Sequence, residues 1–244
     1  MFLIEKSKEI CLFVLFVSIV HAQKQIFVDS NELNVMMIGN IGVSEDESVV
    51  KRGVVNTITR MHEYKPFHLG VNTGNNVLPA GSIVNDFQKL NEVFGISFPS
   101  NIFRFDFLTV LGSNDHKGDF DTKIKYHHSI DKRFYLPKRN YVYDVTLSDG
   151  TSIRFMCIDS VAIYEPGMMT HEDRLIQINN FIDVLDQSSH FDYVFIVMHS
   201  KVANGCGRDT DIPNDPTFIK FITYDYITAI LTGHDYNMQV CIFD

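Results

Sequence analysis

The chain has 244 residues and a mass of 28.0 kDa. At 45% hydrophobic, 12% aromatic and 21% charged residues, it is excluded from the disordered class and fits one large globular domain. The 21 Lys+Arg against 30 Asp+Glu give a net charge of −9, which argues against nucleic acid or an anionic membrane as the main partner, and four Cys with no Trp exclude a disulfide scaffold.

Chain order begins with a leader. Lys6 and Lys8 precede an apolar run at residues 10–20, interrupted by Ser18, and Val20-His21-Ala22 places short residues at the −3 and −1 positions. The run is far shorter than the roughly 20 residues that span a bilayer. The expectation is a signal peptide over residues 1–22, cleaved after Ala22, with one domain over 23–244. The mature protein is then expected in the secretory pathway or outside the cell, with no transmembrane anchor. Cleavage removes Cys11 and leaves Cys157, Cys206 and Cys241. One disulfide with one free thiol and three buried thiols both remain open. No Asn-x-Ser/Thr sequon occurs.

The mature chain alternates strands and helices. Residues 34–39 read as a buried strand closed by glycine, and 48–64 as a helix with an apolar stripe at Val50, Val54, Ile58 and Met61. Residues 67–70 are a second strand. Residues 82–94, with Ile83, Phe87, Leu90 and Phe94 on one face, predict a helix, and 105–112 a third strand. Ser148-Asp149-Gly150 marks a hairpin turn between strands at 141–147 and 153–159. Residues 175–185 are helical, and 193–199 and 227–233 are buried strands. Strand, polar loop and helix in repetition mean α/β layers.

The strand ends carry the chemistry. Four strands stop at Gly39-Asn40-Ile41-Gly42, Gly70-Val71-Asn72-Thr73-Gly74, Gly112-Ser113-Asn114-Asp115-His116 and Gly233-His234-Asp235-Tyr236-Asn237, and a fifth at Met198-His199-Ser200. Loops at the carboxyl ends of strands in an open α/β sheet converge on a ligand. His, Asp and Asn are the residue types such loops offer to metals.

This ordered set resembles the calcineurin-like metallophosphoesterases, and within them the small purple (tartrate-resistant) acid phosphatases. Their motifs run Gly-Asp-Trp-Gly, Gly-Asp-Asn-Phe-Tyr, Gly-Asn-His-Asp, Gly-His-Tyr-Pro and Gly-His-Asp-His. The resemblance spans about residues 35–240, including the aromatic and proline stretch at 133–143. It implies an α/β (α+β) four-layer sandwich, two mixed β-sheets flanked by helices, truncated here at the C-terminus because the family's fold runs well past its last His motif. A protein covering that truncated edge is the expected partner, and no nucleic acid is expected.

Position by position, the resemblance argues against the family's dinuclear chemistry. Asn40 stands where the first motif has a liganding Asp. Val71 replaces the bridging Asp and Gly74 the liganding Tyr. Ser113 replaces the liganding Asn and Asn114 the neighbouring His. His199 and His234 are retained, while Tyr236 replaces the last His. Valine cannot bridge two cations, and two close divalent ions without a bridging carboxylate repel. No catalytic residue is assigned. One divalent metal, Zn or Fe, on His199 and His234 with Asp115 or Asn40 nearby, and a pair of buried histidines hydrogen-bonded in the core, are both left open. Asn72, Asn114, Asp115, His116 and Asp235 are candidate pocket residues, although Asp115 and His116 also suit a loop cap. His127-His128 reads as a solvated face, Asp209-Thr210-Asp211 as an acidic loop, and Lys201 as a cation offsetting lost metal charge.

Three functions follow: a non-catalytic secreted binding or scaffold protein, an acid phosphatase with a reorganised or mononuclear site, and a phosphate or small-molecule binder using the vacated pocket. The first has a precedent in the glideosome membrane anchor of apicomplexan parasites, which is similar in its Gly-His-Asp-x-Asn-Met ending.

Overall fold

A computed structural model describes residues 24–165, 167–201 and 224–234. The expected signal peptide, the Asp209 loop, Cys206, Asp235, Tyr236 and Cys241 lie outside the described residues.

The architecture is α/β, with two sheets flanked by helices. Strands β1 (Lys24–Val28), β6 (Tyr141–Leu147), β7 (Ser152–Cys157), β8 (Tyr193–Met198) and β9 (Ile227–Thr232) form one sheet in that order. Strands β2 (Val35–Ile38), β3 (Leu69–Asn72), β4 (Phe107–Thr109) and β5 (Phe134–Tyr135) form the other. The first sheet is mixed, because β6 and β7 pair antiparallel while its other pairs are parallel. The second is parallel throughout, where the resemblance implies a mixed one. The connections explain both results. A tight turn can join only antiparallel strands, whereas the strands of the second sheet are joined by long crossovers. In the turn, Gly150 adopts φ +90° and the Asp149 carboxylate accepts from Thr151 N at 3.0 Å.

Alternation along β7 places the five-stranded sheet between two cores. Ile153, Phe155 and Cys157 join the larger core shared with the four-stranded sheet, while Met156 joins the smaller one. Helix α5 (His171–Asp186) closes that smaller core with Ile178, Phe181 and Leu185. Asp144 and Arg154, register partners on β6 and β7, form a bidentate pair at 2.8 and 2.7 Å, with Phe191 under the guanidinium at 4.1 Å. The Cys157 thiol is free and buried, and burial pushes its pKa up to about 12.

Helix α1 (Val49–Tyr64) is capped by Ser48, whose hydroxyl accepts from Lys51 N. Its rotation corrects the sequence expectation. Val55 and Ile58 face the core together with Lys51, whereas Val50 is 78% exposed, Val54 47% and Met61 54%. Lys51 fixes this orientation. Its ammonium donates to the carbonyls of Ile41, Val43 and Val93 at 2.7, 2.6 and 2.5 Å. The helix expected over 82–94 is also cut short. Asn85 adopts φ +59°, Asp86 caps Lys89 N, and α2 (Phe87–Leu90) starts only there and continues into a wider π turn at Asn91–Gly95. Ile83 is exposed as a result. Helices α3 (Asp121–Ser129) and α4 (Ser160–Tyr164) complete the described helices longer than one turn. His127 on α3 is buried against Tyr135 rather than solvated, and only His128 is exposed.

Candidate functional site

The carboxyl ends of β2, β3, β4, β8 and β9 meet, and backbone hydrogen bonds tie their loops together. Asn40 N donates to Gly74 O at 3.0 Å, Val110 N to Asn72 O at 3.0 Å, and Gly233 N to His199 O at 3.1 Å. Three of the four non-glycine residues with positive φ among the described residues lie here: Asn40 (53°), Asn75 (58°) and His234 (69°). Asparagine tolerates that region better than other non-glycine residues because its short side chain hydrogen-bonds locally. Gly74, at φ +98°, is required by contact as well. A side chain there would meet Gly112 N at 2.7 Å and His199 Nδ1 at 3.0 Å.

Two of the sequence-derived groups are brought together. His199 is buried, and its Nδ1 lies 2.7 Å from Thr73 O. A carbonyl can only accept, so Nδ1 carries the proton and Nε2 of the neutral ring is the acceptor. His234 Nδ1 reaches that Nε2 at 3.2 Å, with the rings edge to face. Beside them Asn75 Nδ2 donates to Asn40 Oδ1 at 2.7 Å, and Asn75 Oδ1 accepts from Asn114 N at 2.9 Å. One amide thus stitches the first, second and third loops. Ser113 is half-buried in the third loop, and Lys201 is buried after the fourth.

Three other expected pocket residues point elsewhere. Asn72 is fully buried and donates to Asn76 Oδ1 at 2.6 Å. Asp115 is fully buried and accepts from Asn76 N, Asn76 Nδ2, Val77 N and Gly112 N at 2.8–3.3 Å, with Lys123 Nζ at 3.5 Å. Burial pushes the Lys123 ammonium pKa down, and the Asp115 charge opposes that shift. Asp115 is therefore a strut between the second and third loops and α3. His116 Nε2 sits 2.8 Å from Asp159 Oδ1, whose other oxygen accepts from Arg139 Nε at 2.7 Å. Asp159 also caps α4 through Ala162 N.

Sequence reasoning missed Asn75, Asp159 and Lys123. A signal existed for Asn75, since Gly-Asn at a strand end marks left-handed backbone. Asp159-Ser160 carried an N-cap signal. Nothing local marked Lys123, whose partners lie on other elements. Among the described residues, no three His, Cys, Asp or Glu side chains group in a way that holds a metal ion.

These features define an α/β two-sheet protein whose strand-end loops meet around a histidine pair and an amide bridge. No family model matches the chain, and no curated protein matches it. A solved structure does share its fold: GAP50, the anchor in the inner membrane complex of Plasmodium, at 14% identity and a TM-score of 0.57. The match covers 70% of this chain, which spans 56% of that one. The resemblance to an anchor protein is thus met by a likeness of fold.

Proposed function

We propose that this chain is a secreted, non-catalytic protein of the purple acid phosphatase-like metallophosphoesterase class, acting by binding or assembly. One observation carries it. Where the strand-end loops meet, the described residues bring together two imidazoles and an amide bridge, and the nearby carboxylate, Asp115, is occupied by four N–H groups and Lys123. A dinuclear centre needs a bridging anion, and Val71, which holds the bridging position in the resemblance, is fully buried. These residues do not fit two metals. The fold shared with an anchor supports a scaffold role.

One distance favours the hydrolytic alternative. Two nitrogens 3.2 Å apart match two ligands of a single tetrahedral zinc, whose Zn–N bonds of about 2.0–2.1 Å place them roughly 3.4 Å apart. Metal analysis of protein purified without chelator, with a p-nitrophenyl phosphate assay, separates the readings. The expected result is substoichiometric metal and no turnover. Stoichiometric zinc or iron with turnover that His199→Ala abolishes overturns the non-catalytic proposal.

A further inference from the structure

Helix α1 turns one apolar stripe outward. Val50, Val54, Thr57, Met61 and Tyr64 recur at spacings of four and three residues, and Tyr64 is 92% exposed. That alternation is the seam spacing of a two-helix coiled coil, here about 21 Å long at 1.5 Å per residue. The core has no use for the stripe, because Lys51, Val55 and Ile58 are the α1 residues it buries. At the helix end, Met61 and Tyr64 join Asn34 and Phe67 around a cavity of about 560 Å³.

Two further observations point to a helix as the occupant. Gly53 lies in the helix interior beside the seam, and an added Cβ there would meet nothing within 4 Å. A helix-interior glycine costs about 1 kcal/mol relative to alanine, and nothing in this fold requires it. It does allow a second backbone to approach closely. The seam is also flanked by cations in a chain of net charge −9. Arg60 forms no ion pair among the described residues, and Lys65 pairs with exposed Glu32 at 2.8 Å. A second copy of α1 packed parallel would bring the same cations against them, which disfavours that self-association.

We propose that the Val50–Tyr64 seam of α1 docks an amphipathic helix of a partner protein, one with a four-three apolar repeat flanked by acidic residues. This deepens the binding role proposed above and rests on it. The probe is a labelled three-heptad peptide with Leu and Ile in the seam and Glu on its flanks, titrated into the full chain by fluorescence anisotropy beside a Lys-flanked twin. The Glu peptide is expected to bind and to weaken as salt rises. Met61→Glu should weaken it about tenfold or more, and Arg60→Glu by a smaller factor, with melting curves close to wild type because both positions are exposed. No saturable binding, equal binding of the Lys twin, or undiminished binding to Met61→Glu overturns the proposal. So does self-association, or binding to phosphatidylserine vesicles, that Met61→Glu abolishes; these assign the seam to a second copy or to a membrane surface. None of these outcomes bears on metal content or turnover, so this proposal and the non-catalytic one fail separately.

Discussion

The strand-end cluster and the struts beside it differ in charge. Around His199, His234, Asn40 and Asn75 the described contacts run between amides, carbonyls and imidazoles. A few residues away, Asp115 meets Lys123, and Asp159 meets Arg139, with both carboxylates fully shielded. Buried charge is tolerated only where paired and hydrogen-bonded, and removing one partner is costly. In this chain the described ion pairs hold the frame beside the strand-end cluster, whose described contacts run through amides, carbonyls and imidazoles. The two regions make different contacts, and each can be perturbed alone.

The sharpest break is at Asp115. Asp115→Ala leaves Lys123 without its carboxylate and strands four N–H groups from Asn76, Val77 and Gly112. The expected cost is about 3–5 kcal/mol, seen as a fall of roughly 10 °C or more in Tm by circular dichroism. A loss under about 1 kcal/mol would return Asp115 to the pocket role read from the sequence.

Lys51 sharpens the comparison by a different route, since its buried ammonium is held by carbonyls alone. Burial lowers its pKa from 10.5 to about 8. The folded protein releases this proton near pH 8 and the unfolded chain near pH 10.5. Between these values the unfolded state binds more protons, so this group makes stability rise with pH. Cys157 acts oppositely. Its thiol is held up to about 12, so stability falls above about pH 9, where the unfolded thiol ionises. The difference between wild type and Lys51→Met isolates the lysine. In denaturant titrations it should shift toward wild type between pH 8 and 10.5, by up to about 3 kcal/mol. A flat difference would mean that the three carbonyls hold the proton through that range.

Elements set by short-range patterns were legible in the sequence, and those set by distant partners were not. The hairpin at Ser148-Asp149-Gly150 lies within three residues, and the glycine-terminated strands announced where the loops would converge. Strand β1 was not anticipated, because it acquires its place by pairing with β6 more than a hundred residues later. The rotation of α1 was misread for a stated reason: it carries two stripes of similar spacing, and the one facing the core contains Lys51 and His62, which look polar until their carbonyl and aromatic partners are known. At the site, His199 and His234 follow two strand ends that the fold brings side by side, and their rings approach to 3.2 Å. For Asp115 and His116 the sequence left a pocket role and a loop cap both open, and only Lys123 and Asp159, on other segments, make them struts.

The histidine pair tests the neutral half of the comparison with the smallest expected effect. His234 is only partly buried, and it meets His199 by a hydrogen bond and an edge-to-face ring contact, the His199 proton being already positioned by the Thr73 carbonyl. Glutamine at 234 can still donate from its amide, so His234→Gln should cost about 1 kcal/mol or less. His199 is buried and bonds both the Thr73 carbonyl and His234 from one ring, a pair of contacts a glutamine amide reproduces poorly, so His199→Gln should cost more than His234→Gln. If the pair were instead held by a bound metal, both variants would lose the stabilisation that ligand binding adds, and the two losses would converge. Equal losses of several kcal/mol, removed by chelation of the wild type, would therefore show that a metal ion holds this cluster.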